Sequence, residues 1–369
     1  MTKERKFQIE GLLKTPQELL HKEQISNQVS GKIILVTGAA GSIGSEIVKQ
    51  LLVYVPKTIL LVDVAEITLN KLYLKLESIP SKTKLIPCLA DINEKSLMHN
   101  LFTIYQPDIV YHAAANKHVP LLEGFPHQAI QNNILGTKII ADLAIIFQVK
   151  TFVFISTDKA VNPSSIMGAS KRIAELYIQA VNESSAQSQF IITRFGNVFG
   201  SSGSVVPIFN KQIKSGGPVT ITHPDMERYF MTITQACELV LESGAMGNGG
   251  EIFMFDMGAP IRILDLANQM IKAAGLMPEI EIKIECIGLR PGEKLQEDLI
   301  TIHDVLMDTK HSQIRLVKSM NKNKNNFNKK EINVFLKQLT TLQEVEIVIE
   351  MKKIVPEFKS NHSIYSALD

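Results

Sequence analysis

The sequence predicts an α/β protein: a doubly wound parallel sheet with a smaller mixed α/β lobe in its C-terminal part. Three observations point there. A β-branched run, Ile33 to Val36, breaks abruptly into Gly38, Gly41 and Gly44. Further apolar runs follow at 58–63, 85–91, 108–115, 152–156 and 190–194, with helical periodicities between them. The second run ends in an acid, Asp63. Strands that alternate with helices make a parallel sheet covered on both faces.

The first strand leads into the glycine turn. Gly38 lets the chain bend sharply, and Gly41 leaves room for a pyrophosphate to approach backbone N–H groups. Gly44 lets the next helix, patterned through Ile47, Val48, Leu51 and Leu52, pack close to the sheet with its positive end toward phosphates. Gly38, Ala40, Gly41, Ser42, Ile43 and Gly44 are therefore the candidate cradle for a dinucleotide. Asp63 lies about 20 residues beyond this turn, where a carboxylate accepts hydrogen bonds from ribose hydroxyls. It repels a 2′-phosphate, and no arginine follows in residues 64–68, so NAD is expected over NADP. Asp91 and Ile92, ending the third strand, are placed against the adenine. Ala113 and Ala114 end the fourth and admit the nicotinamide ribose and phosphates.

Helical patterns at 129–147 and 168–181 precede the fifth and sixth strands' crossovers, and a helix at 232–243 with a strand at 251–255 returns to the sheet. The cofactor domain is thus expected over 31–200, completed by 231–257, and the substrate lobe over 201–230 and 258–369. Residues 1–30, with Ile9, Leu12, Leu13, Leu19 and Leu20, read as a helical extension that packs on the main body or a partner subunit. Residues 196–217 are rich in Gly, Ser and Pro, the composition of loops that close over a ligand. In the lobe, the charged tract Leu289–Lys294 reads as a binding loop.

Composition excludes several classes. The net charge of +2 and the lack of a basic block interleaved with aromatics argue against nucleic acid. The basic cluster Lys318–Lys330 reads as a solvated loop. Three cysteines, Cys88, Cys237 and Cys286, have neither disulfide nor metal-ligand spacing, which fits a reducing cytoplasm and no metal site. The N-terminus is charged with no apolar core behind it, unlike a signal peptide. No apolar run reaches the roughly 18 residues a membrane span needs.

The chemistry-bearing residues cluster after strand five. In an open parallel sheet, ligands bind beyond the carboxyl ends of the strands, so Thr157, Asp158 and Lys159 are expected to project into the crevice. Met167 and Lys171, four apart, share one face of the next helix.

At this point the sequence resembles the extended short-chain dehydrogenase/reductases, which have the Rossmann fold. Thr37-Gly-x-x-Gly-x-x-Gly44, the strand-five Ser/Thr and a helix pair ending in Lys carry that likeness. Within the superfamily, Ser156–Pro163 with Met167–Arg172 looks like the UDP-N-acetylglucosamine 4,6-dehydratases of polysaccharide biosynthesis. The likeness extends to 112–120, 194–198, 228–231, 290–294 and 355–360. The superfamily normally has Tyr where this chain has Met167, and a thioether is neither acid nor base. The chain is similar to a subgroup that shares this Met and retains configuration at C5. Relatives with an N-terminal membrane region exist, and this chain begins near where that region would end, as either a natural short form or a truncated piece would.

The resemblance implies that tightly bound, recycled NAD takes hydride from C4 of the sugar and returns it at C6. Asp158 would be the acid for the departing C6 hydroxyl, with a raised pKa. Lys159 would take the C5 proton if burial lowered its own pKa. Thr157 would hold the 4-oxygen, and Lys171 the nicotinamide ribose. Asn197, Arg228 and Arg290 are expected on the diphosphate, Glu293 on the uridine ribose, and Lys117 and His118 near the sugar. A homo-oligomer is expected. Two other readings stay open: a nucleotide-sugar C4 epimerase, which needs no C6 acid, and a non-catalytic NAD-binding regulator.

Overall fold

Buried, branched strands dictate the architecture. In the computed structural model, which describes residues 21–320 and 329–369, β1 (Ile33–Thr37), β2 (Thr58–Asp63) and β4 (Ile109–His112) are almost wholly enclosed. Strands apolar on both faces need cover above and below, which β–α–β units supply. The cover comes from α2 (Ser42–Leu51), α3 (Glu66–Glu77) and α4 (Lys95–Tyr105) in the first half. Short α5 (Val119–Glu123) and α6 (Pro126–Ala129) lead through a π-helical stretch at Ile130–Gly136 into α7 (Thr137–Ile146). α8 (Ile166–Glu183) joins β5 (Thr151–Ile155) to β6 (Gln189–Arg194), and β3 (Lys84–Leu89) forms one sheet edge.

The strand order from that edge is β3-β2-β1-β4-β5-β6, all parallel, continued by β11 (Ile252–Phe255) after α10 (Ile233–Met246). The sequence direction of strand addition reverses between β1 and β4, so a crevice opens there at the carboxyl ends. The described part of the N-terminal extension is α1 (Lys22–Val29), which buries Ile25 and Val29 on the main body beside α10. There His21 Nδ1 lies 2.6 Å from Glu242 Oε1. The rest of that extension, and most of the Lys318–Lys330 cluster, lie outside the described residues.

The small lobe forms its own core around Phe209, Val219, Leu266 and Ile271. It is built from α9 (Val205–Lys214) and α11 (Ile263–Ala273) with three two-stranded ladders. These pair β7 (Asn197–Val198) with β10 (Phe230–Met231), β8 (Val219–Ile221) with β13 (Ile284–Cys286), and β9 (Glu227–Arg228) with β12 (Ile261–Arg262).

Two expectations are corrected. The 196–217 segment is not all loop: α9 occupies half of it and packs Val206, Phe209 and Ile213 inward. The C-terminal portion of the expected lobe belongs to the main body. β14 (Asp304–Asp308) and β15 (Ile314–Ser319) extend the central sheet to nine strands, β15 antiparallel to β11 and β14 antiparallel to β15. α12 (Lys329–Gln338) and α13 (Glu344–Ile354) bury Ile332, Phe335, Ile347, Val348 and Met351 in the same core as α8. Apolar periodicity states that a face is buried but not against what.

Glu175 of α8 is fully buried at the junction of the last parallel strands. Its Oε1 accepts from Ser156 Oγ (2.6 Å) and Arg194 Nε (2.7 Å), and its Oε2 from Arg194 Nη2 and Arg172 Nη1 (3.1 Å). Burial pushes its pKa up, but Arg194, Arg172 and Ser156 outweigh burial and hold it below the usual carboxylate value. Removing one member leaves buried charge unpaired, so Glu175→Ala should cost about 3–5 kcal/mol in urea unfolding. Because the folded pKa is depressed, the wild-type contribution is full above the ordinary carboxylate pKa and is lost as pH falls through the folded one. An unchanged urea midpoint in the variant would contradict this account.

Candidate active site

The carboxyl ends of β1, β4, β5 and β6 face the small lobe across one cavity of about 810 Å³. The first turn of α2 lines it through Gly41, Ser42, Ile43 and Gly44. Gly41 is the N-cap and no side chain caps the helix, so the first N–H groups have no intrahelical carbonyl to reach. Gly38 sits at φ +62°, and a Cβ there would lie 2.7 Å from the Ala114 nitrogen. A Cβ on Gly44 would lie 2.1 Å from the Gly38 oxygen. Bare N–H groups at the positive end of a helix suit a pyrophosphate, so these residues fit a dinucleotide.

Asp63 braces this turn. Its Oδ2 accepts from the Ala40 N–H and its Oδ1 from the Ala65 N–H, both at 2.9 Å, and each oxygen keeps a lone pair for a ribose hydroxyl. Ala40, Asp63, Asp91, Ile92 and Ala114 lie outside the cavity lining, toward the β2–β3 side. The Ile92 side chain is buried against Gly136. Asp91 Oδ1 is occupied by the Asn93 N–H and Nδ2, both at 2.8 Å.

Beyond β5 the chain makes a single 3₁₀ turn at Asp158–Ala160, capped by Thr157. Thr157, Lys159, Met167 and Lys171 line the cavity as expected; Asp158 does not. Its backbone N–H donates to the Phe195 carbonyl (3.1 Å) and turns the side chain beneath the wall, fully buried. Asp158 Oδ1 accepts from Thr157 Oγ1 (2.9 Å) and Lys159 Nζ (3.1 Å). Oδ2 has no partner, and a Cβ on the cavity residue Gly196 would stand 2.9 Å from it. Burial raises the Asp158 pKa, against the opposing pull of Lys159.

Lys159 reverses another expectation. Burial would lower its pKa, but Asp158 and then Glu297 outweigh burial and raise it. It stands as an ammonium 3.3 Å from Glu297 Oε1 and is no ready base. Burial does pull Lys171 down, to about 7, with its Nζ 4.0 Å from the Phe154 ring centroid.

Of the expected substrate residues, Lys117, His118, Asn197, Arg228, Arg290 and Glu293 all line the cavity. Burial lowers the pKa of Lys117, and burial with Lys117 lowers that of His118. Gly203, at φ +71°, passes under the His118 ring, where a Cβ would meet Cε1 at 2.6 Å. Asn197 Nδ2 donates to the Tyr229 carbonyl (3.2 Å). Arg228 differs from expectation. It is buried, with Nη1 donating to Glu227 O (2.7 Å) and Leu295 O (3.1 Å) and Nη2 to Lys294 O (2.8 Å). Three of its five N–H donors are thus taken by backbone carbonyls, two of them in the 290–297 loop. The Arg290 N–H donates to Glu293 Oε2 (3.0 Å) within that loop.

Sequence reasoning missed Glu297, a buried carboxylate on the cavity wall; only its place just past the Leu289–Lys294 tract pointed to it. It also missed the C-terminal brace. Gly292 N–H donates to Asn361 O (2.8 Å), Asn361 N–H to Ser164 O (3.1 Å), and Ser164 Oγ to Gly292 O (3.0 Å). Glu123 joins the same knot by accepting from the Ile166 N–H (2.7 Å) and Ser363 Oγ (2.6 Å). Among the described residues no His/Cys/Asp/Glu cluster could hold a metal, and no helix is long and apolar enough to cross a membrane.

The depressed Lys171 has a signed consequence for stability. Between pH about 7 and 10.5 the unfolded chain binds a proton there that the folded chain does not, so stability rises with pH. Lys171→Met should raise stability at pH 8 by on the order of 2 kcal/mol and flatten that rise. Urea midpoints of both proteins across this range provide the check, and parallel profiles would rule the assignment out.

Comparison with known proteins agrees with this geometry. Residues 34–319 match the family described as polysaccharide biosynthesis protein. The chain is 48% identical over 302 residues to the capsular polysaccharide biosynthesis protein CapD of Staphylococcus aureus, covering 82% of this chain and 50% of that one. It thus spans about half the length of that relative. It is 35% identical over 279 residues to a UDP-N-acetylglucosamine 4,6-dehydratase (inverting) of Campylobacter jejuni, covering 74% and 79%. It is also 35% identical over 282 residues to a UDP-glucose 4-epimerase of Rickettsia akari, again covering 74% and 79%. Among solved structures, Pen from Bacillus thuringiensis superposes with a TM-score of 0.72 at 31% identity, covering 84% of this chain and 99% of that one. The dTDP-glucose 4,6-dehydratase DesIV from Streptomyces venezuelae, solved with NAD, shares the fold with a TM-score of 0.63 at 22% identity, covering 72% and 87%. With a doubly wound sheet, a bare glycine turn and a polar crevice at the strand reversal, the chain belongs to the polysaccharide biosynthesis protein family, on the Rossmann fold of the extended short-chain dehydrogenase/reductases.

Proposed function

We propose that the chain binds NAD and catalyses 4,6-dehydration of UDP-N-acetylglucosamine to the UDP-linked 4-keto-6-deoxy sugar. The observation that carries this reading is Asp158: a buried carboxyl with a raised pKa, joined to Thr157 and Lys159 on the cavity wall. A carboxyl whose surroundings favour its protonated form is what a departing hydroxyl requires. The named dehydratase relative supports the substrate class.

Bound NAD would supply a hydride acceptor at C4 and a hydride donor at C6; the proton released from the C4 hydroxyl passes to solvent water, which returns one to Asp158 after each turnover. The chain's own residues handle protons and charge. Asp158 gives the proton that leaves with the C6 hydroxyl as water; Thr157 and Lys159 donate to its Oδ1, which leaves Oδ2 to carry that proton. Lys159, held as an ammonium, stabilises the negative charge that forms on the 4-oxygen when C5 loses its proton. The C5 proton goes to a nitrogen able to be neutral near pH 7, and Lys171 meets that condition whereas Lys159 does not. Return of the proton from the same face retains configuration at C5, since Met167 has none to offer from another. Arg290, Glu293 and Asn197 are assigned to the nucleotide and Lys117 and His118 to the sugar. Asp63 favours NAD over NADP.

The epimerase relatives favour a second reading, C4 epimerisation. That reaction needs no acid at C6, whereas both reactions must remove a C4 hydroxyl proton without help from Met167.

Incubation with UDP-N-acetylglucosamine and NAD in D₂O separates these readings. NMR should show the 4-keto-6-deoxy product with deuterium at C5 and retained configuration. A C4 epimer as the sole product would defeat the proposal, and an inverted C5 would defeat the retention. Asp158→Asn should lower kcat by roughly 10²–10⁴-fold and leave NAD affinity within about twofold.

A further inference from the structure

Resting on the reading of Asp158 as the acid, we propose that Glu297 is a positioning residue. It grips Lys159 from the side opposite Asp158, so that Asp158 keeps the proton it must deliver.

The geometry is a chain of alternating charge. Lys159 Nζ lies 3.1 Å from Asp158 Oδ1 and 3.3 Å from Glu297 Oε1, and that same Oε1 lies 3.7 Å from Arg228 Nε. The side chains are nearly sealed: Asp158 is 0% exposed and Glu297 5%. Two carboxylates compete for one ammonium, and only one of them has a second cation. Arg228 sits beside Glu297, held there by its bonds to the Glu227, Lys294 and Leu295 carbonyls. Asp158 has instead an oxygen with no partner at all.

The charged form therefore belongs to Glu297. Burial opposes its ionisation, but Lys159, Arg228 and Lys294 together hold its pKa below the ordinary value. Asp158 goes the other way: burial raises its pKa, Lys159 works against that, and the Glu297 charge adds to the rise. The ionisable groups facing this pair are Lys159 and Asp158 on the turn after β5, Arg228 and Tyr229 from β9 and its following residue, and Glu297, Lys294 and Asp298 from the loop. Among them Glu297 is the carboxylate in direct contact with Lys159 from the other lobe. Because it lies on the loop that carries Arg290 and Glu293, seating that loop and protonating Asp158 are one event.

The test is Glu297→Gln, which keeps the shape and removes the charge. With UDP-N-acetylglucosamine and NAD, kcat at pH 8 should fall about tenfold or more while KM changes less than about threefold. The alkaline limb of the kcat/KM profile should move down by about one pH unit, the size expected for loss of a neighbouring charge. Glu297→Asp should restore part of the shift. Infrared spectroscopy reads the proposal without turnover: a protonated-carboxyl C=O band, identified by its loss in Asp158→Asn, should be present in the wild type at pH 7 and lost in Glu297→Gln. An unmoved limb, or a band that survives in Glu297→Gln or is missing from the wild type, would overturn the proposal. If Glu297→Gln does not fold, the limb and the band in Glu297→Asp decide it. A wild type that shows the band but yields no dehydrated sugar would sink the dehydratase reading and leave the Glu297 assignment standing.

Discussion

The buried carboxylate of Glu175 is the interaction on which the working end of the sheet depends. It takes hydrogen bonds from Ser156 at the end of β5 and from Arg194 at the end of β6, while its own helix α8 runs across both strands. Ser156 is the last residue before the turn that carries Thr157, Asp158 and Lys159, and α8 carries Met167 and Lys171. One ion cluster thus fixes the relative position of both halves of the proposed catalytic constellation. Buried ion pairs add little net stability compared with apolar packing, but they are intolerant of partial loss. Here that intolerance makes the join specific.

Upon that join the site separates groups of like chemistry by their surroundings. Lys159 and Lys171 are both buried lysines, yet the first is flanked by two carboxylates and the second by an aromatic ring and the distant Glu175. Asp158 and Glu297 are both buried carboxyls, and the cations nearest each send them in opposite directions. Burial alone would make all four neutral; partners decide which stay charged.

Much of the frame was legible in the sequence because its determinants are local. The glycine turn needs a positive φ at Gly38 and no Cβ at Gly44, and the strand–turn–helix pattern states both. The parallel strands were readable as continuous apolar runs. The antiparallel edge at 304–319 and the helices α12 and α13 were assigned to the wrong body, since amphipathic elements do not name their partners. In the site, the spacing of Thr157, Asp158, Lys159, Met167 and Lys171 was visible, but burial signs were not. The inward turn of Asp158, the sealed Ile92 and the anchored Arg228 all follow from contacts with residues far away in sequence. Lys159 was misjudged for the same reason, because Glu297 lies far along the chain and only folding makes it a neighbour.

The brace between Gly292, Ser164 and Asn361 sets an order of assembly during synthesis. The first strands pair among themselves within the first half of the chain, although the helix after the glycine turn also packs on α10. The loop carrying Arg290 and Glu293, by contrast, is held down by residues 361 and 363, through Asn361 and the Ser363–Glu123 bond. A nascent chain can therefore pair its first strands well before residues 361 and 363 are made, whereas the 290–297 loop is tied down only once they are present.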